Sequence, residues 1–187
     1  MRHTSRTCAA IVAGLLLFVA ESMVVFAQST SQSGSKLPIK AALILTPEFC
    51  ASKITNGEEF EVGRSACSEL EPALKGVFAS LTVMPKVPKT GDVKIILIPG
   101  FAGAGATRAR IAFSDRELNV FLQWTVKDMS GKTLWIGTAQ GSAKHHMGNT
   151  FTYKKNLRLI VNDAVKDLAS QSANKISASP ELRTFAQ

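Results

Sequence analysis

The strongest periodic signal along the chain is an alternation over residues 118–127. Leu118, Val120, Leu122, Trp124 and Val126 alternate with Asn119, Phe121, Gln123, Thr125 and Lys127. Period two over that length predicts a long strand with one face turned inward. Asp128-Met129-Ser130-Gly131 reads as a turn, with glycine supplying a positive φ. Residues 133–143 then predict a hairpin partner, with Leu134 and Ile136 on one face and Trp135 on the other. Two continuously apolar runs, 39–45 and 93–98, predict strands buried on both faces. They are closed by Thr46-Pro47 and Pro99-Gly100. A further strand is expected over 107–113.

Helical spacing occurs twice. Leu70, Leu74, Val77, Phe78 and Leu81 fall on one face of a helix. Ser68-x-x-Glu71 resembles a capping box, whereas a start at Gly63 would place Pro72 inside the helix. Leu157, Ile160, Val161, Ala164, Val165 and Leu168 mark a second helix over 156–176, stopped by Pro180. The stretches 48–63, 86–91 and 144–153 are polar and read as loops, and 181–187 as a frayed tail. The expected fold is α+β: one small, mainly antiparallel sheet with two amphipathic helices packed on one face.

The ends divide the chain further. Arg2 and Arg6, an apolar run over 9–20 and Val25-Phe26-Ala27 have the layout of a secretory signal peptide cleaved before Gln28. The run is too short for a membrane span, and extending it would bury Glu21. The expected organisation is a cleaved signal over 1–27 and a polar leader over 28–37. A single domain over 38–178 and a tail over 179–187 follow. No transmembrane span is expected in the mature chain.

Charge and cysteines narrow the setting. Of the 22 basic and 14 acidic residues, the signal holds Arg2, Arg6 and Glu21. The mature chain keeps 20 and 13, a balance of +7. That favours anionic partners, such as lipid, lipopolysaccharide or an acidic protein. Export argues against nucleic acid, and no element concentrates the basic residues. Cys8 leaves with the signal and precedes its apolar run, so it is no acylation site. The expectation is an exported protein, periplasmic or extracellular, without a lipid anchor. Cys50 and Cys67 remain, and an even number in an oxidising compartment favours a disulfide. A reactive thiol or a metal pair is the alternative. No C-x-x-C motif or nearby histidine supports either.

No motif specifies a reaction. Gly100-Phe-Ala-Gly103-Ala-Gly105 follows a strand, but its glycine order reverses the nucleotide fingerprint and no helix follows it. It reads as a mobile loop. His145-His146 lack the spacing of a zinc pair, because adjacent residues on an extended chain point oppositely. No G-x-S-x-G is present, although folding could still assemble a Ser-His-Asp site. Asp92, Asp115 and Asp128 all fall in expected turns. Trp124 is expected in the core and Trp135 on the sheet surface, with a shared ligand cage as the alternative.

Pro38-Ile39-Lys40, Phe60-Glu61-Val62-Gly63 and the hairpin Asp128 to Trp135 resemble a loose group of bacterial envelope proteins. The group comprises the lipopolysaccharide-transport lipoproteins, the ABC-transporter auxiliary lipoproteins and the amino-terminal domain of the Tol-Pal propeller protein. The resemblance implies a small β-α-β-β-α sandwich with no catalytic residues and no cofactor. The chain is therefore expected to be a non-catalytic accessory or adaptor binding another envelope protein or an anionic envelope component. Its partner-binding face would be the helix-free sheet face carrying Phe121 and Trp135, with Arg108, Arg110, Lys127 and Lys132 around it. An unpaired strand edge is the other surface such an adaptor could use. The competing expectation is a secreted small-ligand carrier or hydrolase with a site near residues 100–105.

Overall fold

In the computed structural model, which describes residues 36–55, 59–106 and 114–187, the elements run in this order. They are β1 (Leu37–Ile44), α1 (Pro47–Cys50), β2 (Ile54–Thr55), β3 (Glu59–Phe60), α2 (Val62–Lys75), β4 (Phe78–Met84) and β5 (Ile95–Ala106). β6 (Asp115–Asp128), β7 (Thr133–His146), α3 (Thr150–Ala178) and α4 (Pro180–Phe185) follow. The expected signal peptide, most of the leader and the strand over 107–113 lie outside the described residues.

The alternating segment is β6, and Leu118, Val120, Leu122, Trp124 and Val126 on it are fully buried. Its hairpin with β7 is set by Asp128, whose Oδ1 accepts from the Ser130 and Lys132 N–H groups at 2.8 and 3.0 Å. Gly131 supplies the positive φ of 88°.

The fold is α+β, as expected, but its sheet is larger and mixed. Five strands run in the order β4-β1-β5-β6-β7, and β2 with β3 makes a separate two-stranded sheet. β1 is parallel to both β4 and β5, whereas β5, β6 and β7 are antiparallel. The parallel pairing arises at β4, where a helix was expected to continue. α2 stops at Lys75, Gly76 is its cap, and Phe78–Met84 becomes a strand. Phe78 and Leu81 satisfy a helical spacing, but Thr82 and Val83 are β-branched and fit a pleated surface better. β1, α2 and β4 thus form a crossover unit with parallel strands.

α2 starts at Val62, so Pro72 does lie inside it, three residues before its end. The Ser68 hydroxyl bonds the Ser65 carbonyl and caps nothing. The stretch 48–63 is not a plain polar loop: it holds α1, β2 and β3, and Phe60 is buried. Gly63 is required there. A Cβ on it would collide with the Phe49 and Cys50 carbonyls of α1.

One main core lies between the sheet and the helices. It joins Ile39, Ala41 and Leu43 of β1 to Ala66, Leu70 and Leu74 of α2 and to Ile160, Ala164, Val165 and Leu168 of α3. α3 approaches β7 so closely that a Cβ on Gly141 would meet the Ala164 carbonyl and the Leu168 backbone. Asn149 caps α3 by accepting from the Phe151 and Thr152 N–H groups, which starts the helix six residues before the expected 156. The tail is not frayed. Ser179 caps α4, and Leu182 is buried.

Candidate functional site

Cys50 and Cys67 form a disulfide, with their Cα atoms 5.7 Å apart. It joins the end of α1 to the middle of α2. That linkage holds the short α1 segment against the helix that Gly63 lets it approach.

The helix-free face of the sheet differs from the expected one. Phe121 lies on it, half-buried, in register with Gly103 and Gln140. Lys127 is half-buried and Lys132 is exposed at the hairpin turn. Arg108 and Arg110 lie outside the described residues. Trp135 is not on this face. It pairs with Val126, packs against the main core and runs along its own strand over Gly137. The cause is a register shift: Lys127 pairs with Thr133 and Val126 with Trp135, leaving Leu134 as an extra residue. Counting alternation straight through that bulge put Trp135 on the wrong side and Ile136 inside. Ile136 is instead 57% exposed. The same face carries a second apolar cluster of Ala42, Ile44 and Ile96, flanked by Met84, Val93, Ile98 and Met129. Its signal was the continuous apolar character of the two short runs, which need partners on both faces.

Residues 100–105 are not a loop. β5 continues through Pro99 to Ala106 and stays paired with β6, with a bulge between Phe101 and Gly103. Pro99 is tolerated because β1 pairs only with residues 95–97, so its missing N–H falls beyond that ladder. Phe101 stacks on Phe49 of α1 at 4.8 Å. The ligand site expected there loses the mobile glycine loop on which it rested. A shallow groove of about 330 Å³ lies elsewhere, between α2 and α3, lined in part by Glu69, Pro72, Lys166 and Asn174.

The two histidines point to opposite sides. His145 Nε2 meets Asp163 of α3 at 2.7 Å, and His146 Nδ1 meets Asp115 at 3.1 Å. Lys144 also pairs with Asp115, and its hydrogen bond, then that of His146, holds the Asp115 carboxyl below its ordinary range. Among the described residues, no group of three or more His, Cys, Asp or Glu side chains is placed to share a metal. No described helix is long and apolar enough to cross a membrane.

The two edges of the large sheet are treated differently. On β7, Asp167 of α3 accepts from the Ser142 N–H at 2.9 Å, and Lys175 donates to the Thr138 carbonyl at 2.6 Å. Helix side chains thus occupy backbone groups of that edge. On β4, Ala79, Ser80, Thr82 and Val83 are exposed. From Gly76 to Pro85 there is no charged residue. Leu45 N–H bonds the Met84 carbonyl, so the even-numbered positions of β4 face β1. Leu81 and Val83 direct their backbone groups outward. Sequence reasoning missed this edge because it assigned the stretch to a helix.

No family model matches the chain, and no curated protein does. Among solved structures, the uncharacterized lipoprotein B of Nitrosomonas europaea matches at TM-score 0.50 and 14% identity, over 78% of this chain and 86% of that one. A minor lipoprotein of Acinetobacter baumannii matches at TM-score 0.46 and 15% identity, covering 74% and 92%. The PelC dodecamer of Paraburkholderia phytofirmans matches at 0.40 and 15%, covering 71% and 90%. These likenesses concern the fold. The fold shared with the Nitrosomonas europaea lipoprotein is consistent with the broad resemblance to envelope lipoproteins, and neither the lipopolysaccharide-transport nor the Tol-Pal type is shown. The expectation that the protein lacks a lipid anchor is withdrawn, since the Nitrosomonas europaea protein of matching fold is a lipoprotein. The chain is thus similar in fold to a bacterial lipoprotein that is itself uncharacterized.

Proposed function

We propose that the protein is a non-catalytic accessory protein of the bacterial envelope, and that it holds an extended segment of another protein along β4. The observation that carries this reading is the contrast between the two sheet edges. α3 occupies backbone groups of β7 through Asp167 and Lys175, whereas β4 is exposed and uncharged and directs Leu81 and Val83 outward. An edge without charge or proline is a ready template for another strand. Strand addition uses backbone hydrogen bonds, so it requires no cofactor and no reactive side chain. The basic surface speeds capture of an acidic partner and makes the encounter salt-sensitive.

Val83→Pro tests this. The substitution removes an outward N–H while leaving the β1 ladder intact. The expected result is a folded protein, by circular dichroism, that no longer retains the envelope protein co-purified with the unaltered chain. Undiminished retention by the folded variant would reject the strand-edge reading.

A further inference from the structure

Phe151 is 95% exposed, far more than any other large apolar residue described as exposed. It stands in the first turn of α3, behind the Asn149 cap. Lys154, Lys155 and Arg158 follow it at i+3, i+4 and i+7, so all four share one face of the helix. All three basic residues are exposed. Among the described residues, none of them is in an ion pair. Leu159, 40% exposed, borders the same face. The nearest acids along the helix, Asp163 and Asp167, are turned to β7, where they bind His145 and the Ser142 N–H.

An aromatic ring held in water beside three unpaired cations has no role in packing this fold. We propose that this face of α3 docks on an anionic phospholipid bilayer, with Phe151 inserted at the headgroup level. The chemistry is complementary on both counts. Lys154, Lys155 and Arg158 meet lipid phosphates, and the Phe151 ring leaves water for the acyl boundary. An acidic protein would satisfy the cations but would not by itself require so exposed a ring. The surface shares no residue with β4, so this inference and the strand-edge reading stand or fall separately.

The test is co-sedimentation of the full chain with phosphatidylcholine vesicles, with and without about one-third phosphatidylglycerol. Binding is expected to the anionic vesicles and not to the neutral ones, and it should fall as salt rises. Each of Lys154→Gln, Lys155→Gln and Arg158→Gln should weaken partitioning about fivefold, and the triple variant about a hundredfold. Phe151→Ser should weaken binding to anionic vesicles with charge unchanged. The control is Lys36→Gln with Lys94→Gln and Lys132→Gln, exposed cations elsewhere on the surface. It removes the same charge and should retain most of the binding. Equal losses for the two triple variants would overturn the proposal in favour of diffuse attraction. No binding to anionic vesicles would overturn it as well. Insensitivity to Phe151→Ser would remove the inserted ring.

Discussion

Trp124 shows how a residue's fate follows from its place in the pleat. It sits on the inward face of β6, is fully buried, and donates its indole N–H to the Ser172 hydroxyl of α3 at 3.0 Å. Trp124→Ala therefore removes a large core side chain and leaves Ser172 without its bond. A loss of about 3–5 kcal/mol in chemical denaturation is expected. Trp135 shares that face but is only half-buried and lies over Gly137. Trp135→Ala should cost less, and equal losses would contradict the burial described. The burial of Trp124 was legible from alternation. The side of Trp135 was not, because the bulge at Leu134 adds one residue that no periodicity records.

At the scale of elements, the hairpin β6–β7 was the most legible part, because a long period-two run and an Asp-x-x-Gly turn agree with each other. β4 was the least legible. Its apolar residues satisfy a helical spacing, and what decides the matter is the β1 edge waiting to be paired, a tertiary effect absent from local sequence. The glycine-rich half of β5 failed for a related reason. Its glycines suggest a loop, but β6 holds them in register to Ala106. α1 and α2 supply a further expected outcome. Replacing Cys50 and Cys67 with serine should leave the fold intact and cost about 2–4 kcal/mol, read as a lower Tm. The bond is local, joining segments 17 residues apart, so the strands of the large sheet should keep their amide protection.

For the whole molecule, the α+β class and the placement of α2 and α3 in one core with the sheet follow from amphipathic stripes that must be buried. The strand order does not follow. Nothing local tells β1 that it will run parallel to two neighbours. The order nevertheless decides which strands lie outermost, and so which backbone groups remain for a partner. The central claim is that β4 is the working edge and β7 the closed one. Photo-crosslinking in living cells tests it most directly, with a benzophenone side chain placed either at Thr82 on β4 or at Thr138 on β7. The account predicts a discrete adduct with one envelope protein from position 82, lost in Val83→Pro, and none from position 138. An adduct from 138 with none from 82, or none from either, would contradict it.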